Sequence, residues 1–194
     1  MELNKYSKAI KLHKMKETPS QLPIPAFVMN FPFTLETKSP NNIWMQEMDP
    51  EDLIVNKGNA YRQFLDLYQF VAGNSLVCNL PSYGDYQDLV YVANMGIYLP
   101  HIKESNHIVL SNFTSPPRQG EEKVGLPFFE LMGYEVHMCP FKWEGEADLK
   151  YLYDNVYIGG YGIRSDIQAY EWMEEKFNMN IIKVEKYLFK SWWS

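Results

Sequence analysis

The stretch that decides the fold is His107-Ile108-Val109-Leu110, followed by a polar segment from Ser111 to Gln119, a segment from about Gly120 to Met132, and Tyr134-Glu135-Val136-His137-Met138. The two outer runs are short, β-branched and bounded by turn-forming residues, which is the pattern of strands. The middle segment has the spacing of an amphipathic helix. Gly133 stands where a helix C-cap glycine belongs, because the left-handed conformation that ends a helix costs glycine nothing. The order is therefore strand, loop, helix, strand.

Working outward, the same order recurs. A later copy runs from Val156-Tyr157-Ile158 through Gly159-Gly160-Tyr161-Gly162 to a helix at about Ser165 to Phe177 and a strand at Asn180-Ile181-Ile182-Lys183-Val184. Ser165 or Asp166 is its natural N-cap and Asn178 its stop. A degenerate earlier copy reads as strand Asp52-Leu53-Ile54-Val55, a helix from about Ala60 to Val71 and strand Ser75-Leu76-Val77-Cys78. Between these copies lies a hairpin-like pair, Leu89 to Val92 and Gly96 to Leu99. Three units of about 25 to 30 residues, none able to bury its own apolar faces, must pack around a shared centre. The expectation is an α/β fold with mixed short sheets arranged radially. Pattern alone leaves a layered α/β domain as the alternative.

Residues 1–25 read as a poorly ordered leader, with Lys5, Lys8, Lys11, Lys14 and Lys16 but no apolar run of signal-peptide type behind them. Residues 26–185 form the domain and 186–194 an aromatic tail. With 46% hydrophobic residues in 194, the chain has the material for one sizeable core. A net charge of -6 offers no basic stripe for a phosphate backbone, so nucleic acid is not an expected partner. No stretch approaches the roughly 18 apolar residues of a membrane span. Two cysteines, Cys78 and Cys139, do not make a disulfide framework and fit a reducing, cytoplasmic setting.

Four motifs occur in order: Gln87-Asp88-Leu89-Val90-Tyr91-Val92-Ala93-Asn94-Met95-Gly96, Arg118-Gln119-Gly120-Glu121-Glu122, Trp143-Glu144-Gly145-Glu146-Ala147-Asp148, and Gly159-Gly160-Tyr161-Gly162-Ile163-Arg164-Ser165-Asp166. Together they resemble the pentein superfamily of arginine deiminases, dimethylarginine hydrolases and amidinotransferases. Phe27-Val28-Met29-Asn30 with Asn41-Asn42-Ile43-Trp44-Met45 resembles that family's first strand and asparagine-rich loop. The resemblance runs from Phe27 to about Glu185. It implies a partial α/β-propeller of about three ββαβ units, the N-terminal three-fifths of a five-unit ring.

What the resemblance implies about chemistry is specific. A guanidinium is planar, charged and forked, so carboxylates facing its N–H pairs hold it bidentately. In the family a cysteine thiolate attacks the central carbon, and a histidine protonates the departing amine. By the resemblance, Glu144, Glu146 and Asp148 supply guanidinium-binding carboxylates, Asp148 with one of the two glutamates. Asp88 and Asn94 belong to the same group, although deiminases place an aspartate where Asn94 aligns, and Asp88 reads equally as a strand-start cap. Arg118 and Arg164 occupy the same loop in consecutive units and are expected to bind the α-carboxylate of an amino acid substrate, the alternative being ion pairs with Glu121 or Asp166.

The pattern then departs from the family, because no histidine strand or C-terminal nucleophilic cysteine follows Val184-Glu185. Cys78 and Cys139 sit in apolar strand ends and read as inert packing residues. His101 and His107 flank a turn, and His137 alternates onto a polar strand face. No metal or cofactor is expected. The reading is a homologue of guanidino-modifying enzymes, acting at a C–N bond of arginine or a related compound and inactive as this chain alone. The alternatives are a non-catalytic arginine-binding or interaction module and a truncated remnant. The expected partners are a small guanidino molecule such as arginine and either a second chain completing the ring or a homo-oligomer.

Overall fold

The computed structural model describes residues 23–40 and 43–186. The leader up to residue 22, Asn41, Asn42 and the tail beyond Lys186 lie outside the described residues. Within them, three small sheets follow one another: β1 (Ala26–Met29) with β2 (Leu76–Asn79), then β3 (Gly96–Tyr98), β4 (His107–Leu110) and β5 (Glu135–Met138), then β6 (Leu149–Tyr153), β7 (Val156–Tyr161) and β8 (Asn180–Glu185). In both three-stranded sheets the first pair is antiparallel and the second parallel. Each parallel pair needs a crossover, and a helix supplies it. These are α2 (Lys57–Ala72) between β1 and β2, α3 (Glu122–Leu131) between β4 and β5, and α4 (Ile167–Phe177) between β7 and β8. A five-residue helix, α1 (Ile43–Glu47), precedes them.

Local chemistry accounts for the helix ends. Asn56 caps α2 by accepting from the Asn59 amide at 3.0 Å. Gly133 follows α3 at φ +84° and Asn178 ends α4 in the left-handed region at φ 52°, as their residue types lead one to expect. Pro127 lies inside α3 and has no N–H to give the carbonyl of Lys123. The Tyr83 hydroxyl donates to that carbonyl instead, at 2.5 Å.

Two expected strands are absent. Asp52 to Val55 is a turn region, with Asp52 N donating to Asp49 O and Ile54 N to Glu51 O. Pro50 and the exposed Ile54 do not suit a buried strand, the Leu53 carbonyl accepts from the Thr37 hydroxyl, and β1 takes the place beside β2. Leu89 to Val92 is also a series of turns, closed by Leu89 N to Tyr86 O and Tyr91 N to Asp88 O, leading into a single 3-10 turn at Val92–Asn94. The antiparallel partner of β3 is β4. The described chain therefore holds two full ββαβ units preceded by a βαβ unit.

Two cores hold the units together. Leu80, Leu89, Met95, Ile108, Leu110, Val124 and Phe129 pack around the second unit. Trp143, Leu149, Tyr157, Tyr170, Met173 and Phe177 fill the third, and Ile97, Leu99 and Val109 of the second unit join them. Shared packing of this kind fixes neighbouring units against each other. A further clasp is the reciprocal backbone pairing of Asn112 with Trp143 at 3.0 and 3.2 Å.

Candidate functional site

Polar side chains collect at one edge of the two larger sheets, where β3 and β6 begin and β4 and β7 end. Two units contribute in the same way. Ser111, just after β4, donates to the carbonyl of Asn94, just before β3, at 2.5 Å. Ser165, after β7, donates to Asp148 Oδ2, just before β6, at 2.8 Å. Ser165 also accepts from the backbone N–H of Glu144 at 3.3 Å, so its hydroxyl joins the two carboxylate residues and does not cap α4.

Glu144 is brought to Asn94 by a glycine. Gly145 has φ +64°, and a Cβ there would lie 2.6 Å from the backbone carbon and oxygen of Asn94. Only a residue without a side chain permits that approach. Asn94 Nδ2 then donates to Glu144 Oε2 at 3.3 Å. Asp148 is held from behind, its carbonyl accepting from the Tyr170 hydroxyl at 3.0 Å and the Gly160 amide at 2.9 Å.

Facing these carboxylates is a guanidinium from the chain itself. Arg164 Nη2 lies 2.5 Å from Asp148 Oδ1 and Nη1 lies 3.8 Å from Glu144 Oε2. Lys186 Nζ reaches the same Asp148 oxygen at 2.6 Å. The carboxylates are buried, whereas the Arg164 side chain is 44% exposed. Burial pushes the Glu144 carboxyl above its ordinary range, and Arg164 and Arg118 pull it back down. The arrangement is a carboxylate pair in a low-dielectric setting, opposed to a cation that solvent can reach.

The other expected site residues lie elsewhere. Arg118 is buried, with its Nε and Nη2 donating to Glu121 at 2.9 and 2.7 Å, its guanidinium 4.4 Å above the Phe113 ring and the carbonyls of Asp88 and Tyr91 at 3.5 and 3.4 Å. Its fork is spent inside the protein, so the expectation of a carboxylate-binding Arg118 gives way to a buried structural pair. Burial pushes Glu121 up, opposed by Arg118. Glu146 is half-exposed and pairs with Lys150 at 3.3 Å, turned from the Glu144–Asp148 group because the turn at Gly145–Ala147 directs it outward. Asp88 is buried beside Gln87, whose amide donates to it at 3.4 Å, and serves the packing around Arg118. Ser165 carried a sequence signal only as a helix cap, and Lys186 carried none.

Cys139 is buried in the core, and burial pushes its thiol up to about 11. Such a thiol is not ionised at neutral pH. His101 is a brace: its Nε2 donates to the carbonyl of Phe177 at 2.9 Å, so its Nδ1 accepts from the Tyr157 hydroxyl at 2.8 Å.

No family model matches the chain. It is 27% identical over 132 residues to the bifunctional arginine dihydrolase/ornithine cyclodeaminase AgrE of Nostoc sp., a match covering 66% of this chain and 18% of that protein. Among solved structures it superposes on the substrate-bound N-terminal domain of ArgZ, an arginine dihydrolase from the ornithine-ammonia cycle in cyanobacteria, with TM-score 0.75 at 23% identity. That superposition covers 84% of this chain and 58% of the other. It also superposes on DDAH from Pseudomonas aeruginosa in complex with citrulline, with TM-score 0.65 at 14% identity, covering 84% of this chain and 62% of that one. The chain has the pentein fold. The chain spans less than a fifth of the AgrE relative's length, and its two ββαβ units with the preceding βαβ unit are short mixed sheets of that fold. Among the described residues no helix is long and apolar enough to cross a membrane.

Proposed function

We propose that this pentein chain binds a small guanidino compound, arginine or a close relative, through Glu144, Asp148 and Asn94, and forms the substrate-holding part of an enzyme acting at an amidine C–N bond. The single observation that carries this reading is the seat of Arg164, whose guanidinium lies between Asp148 and Glu144. A guanidinium is thus the group this carboxylate pair is built to face. An incoming guanidinium takes over these contacts, and Arg164, tethered beside the site, turns to the ligand's carboxylate, where its fork gives geometry as well as charge. Similarity to arginine dihydrolases supports the same substrate class.

Recognition and orientation are the work assigned to these residues. The family's chemistry needs a thiolate to attack the guanidinium carbon and an acid to protonate the departing nitrogen before water releases the product. Cys139 is unsuited to the first task, so in this proposal the thiolate and the acid come from chain beyond these units or from a second chain. A binding module without bond breaking is the second reading, and the buried, un-ionised thiol of Cys139 favours it.

Calorimetric titration of the full chain with arginine, and with agmatine, which lacks the carboxylate, tests the proposal. Saturable binding of both, lost in Asp148→Ala, is expected. Absence of binding to either, in a folded chain, would sink it. Product formation from arginine after mixing with a second chain separates the enzyme reading from the binding module.

A further inference from the structure

At the opposite ends of β4 and β5 from the carboxylate site lies a second polar cluster that no step above uses. His107 opens β4, and Glu135 and His137 alternate onto one face of β5, with His107 opposite Glu135 in the parallel register. His107 Nδ1 lies 2.9 Å from His137 Nε2, with the two rings stacked at an interplanar angle of 3°. Glu135 Oε2 is 3.7 Å from His107 Nδ1. One ligand atom from each of the three side chains lies within 4.8 Å of the others. His107 is largely buried, whereas Glu135 is 59% exposed, so the cluster opens to solvent on the carboxylate side.

The proton chain through Ser105 leaves one lone pair, that of His107 Nδ1, pointing inward. The Ser105 hydroxyl donates to Glu135 Oε1 at 2.7 Å, and so receives the proton of His107 Nε2 at 2.8 Å. In neutral His107 that leaves Nδ1 unprotonated and facing His137. His137 Nε2, 2.9 Å away, fills that lone pair with its own proton when no ion is bound, and a cation entering between the rings takes the place of that proton. Two nitrogens and a carboxylate oxygen, with a hydroxyl fixing one ring's tautomer, is the donor set and second shell of a zinc-type site. Nitrogen ligands at about 2.0–2.1 Å from a tetrahedral zinc stand roughly 3.3 Å apart, so the two nitrogens must separate by a few tenths of an ångström and the rings must turn to aim both lone pairs at the ion.

We propose that His107, His137 and Glu135 form a site for a first-row divalent cation of the zinc type, with Ser105 as its positioning residue and a coordination position left open to solvent. The site is separate from the guanidino reading and stands or falls without it. Bound there, the ion ties β4 to β5 at the end remote from the carboxylates.

Zinc chloride and cobalt chloride added to the full, folded chain supply the test. One equivalent of Zn2+ is expected to bind, shifting the side-chain nitrogen resonances of His107 and His137 in the wild-type protein while His101 stays in place. The cobalt derivative should show nitrogen and oxygen ligation without the intense near-ultraviolet band of a thiolate. His107→Gln and His137→Gln should each weaken binding by at least about tenfold, and Ser105→Ala by about 10-fold or more. No saturable binding, a thiolate band implicating Cys78 or Cys139, or unmoved His107 and His137 resonances overturns the site. The wild-type resonances decide the matter even where a variant fails to fold.

Discussion

Arg164 and Asp148 form a one-sided ion pair: Nη2 sits 2.5 Å from an oxygen of a fully buried carboxylate, while the arginine side chain remains 44% exposed. Asp148 is fixed by Ser165, by the backbone around it and by Lys186 at 2.6 Å. Arg164 is the member of the pair free to leave. A ligand cation therefore competes with a contact that solvent screens on the arginine side alone.

Arg164→Ala should accordingly separate two guanidino ligands. Agmatine, with no carboxylate, should bind more tightly, because the half-exposed Arg164 no longer competes for the buried Asp148 carboxylate. Arginine should gain less or lose affinity, since the group that meets its carboxylate has gone. Parallel calorimetric titrations read the difference, and equal changes for the two ligands contradict the proposed role of Arg164.

Asp148→Ala should reduce binding of either ligand at least tenfold, the equivalent of one charge-assisted hydrogen bond at about 1.5 kcal/mol. It should also lower stability by roughly 2–3 kcal/mol in urea unfolding, because the buried Ser165 hydroxyl loses its acceptor.

Gly145→Ala is expected to damage the site more than its one methyl group suggests. The new Cβ meets backbone atoms of Asn94 and Ala93 at 2.6 to 2.8 Å, and neither strand end can yield without moving Asn94 from Glu144. A protein that keeps its far-ultraviolet spectrum but loses ligand binding is the expected outcome. Undiminished binding would place the ligand away from the Asn94–Glu144 contact.

Glu121→Ala strands a buried guanidinium and should cost about 3–5 kcal/mol, whereas replacing Arg118 and Glu121 together by apolar residues of similar volume should cost much less. Chemical denaturation of the two variants checks this. The comparison also tests the structural assignment of Arg118: in the double variant, arginine binding should survive.

Ligand affinity should fall on acidification while the pH is still above the ordinary carboxylate value of 4.5, because burial raises Glu144 and only its ionised form attracts a guanidinium. The contribution to stability runs in the opposite sense. The folded chain holds the Glu144 proton more tightly than the unfolded chain, so this contribution is present at low pH and lost as pH rises through the raised value. Titration of binding from pH 4.5 to 7, with Glu144→Gln removing the dependence, checks the assignment.

Periodicity and punctuation made the two ββαβ units legible. Strands at 107–110, 134–138 and 180–184, the glycine after α3 and the asparagine after α4 are local features, set by side-chain branching and by which residues tolerate a left-handed backbone. The first unit was misread because Asp52 to Val55 has the composition of a strand but no edge to join, and strand pairing is a property of the neighbour as much as of the segment. Leu89 to Val92 failed for a related reason: its backbone closes turns onto Tyr86 and Asp88, and β3 takes β4 as its antiparallel partner.

What the sequence determined by itself was the order of elements and the presence of acidic and basic residues in the loops that join them. It could not distribute those charges. Arg118 and Arg164 occupy equivalent loops, yet one is locked onto Glu121 three residues away and the other reaches across to Asp148. That difference depends on which loop lies over Phe113 and which opens to solvent. Likewise, His107 and His137 stand 30 residues apart with no metal-binding spacing, and only the parallel pairing of β4 with β5 brings their nitrogens to 2.9 Å. Charge and chemistry reside in the residues, but their pairing is decided by tertiary contacts, because electrostatic and coordinate interactions act over a few ångströms of space and not along the chain.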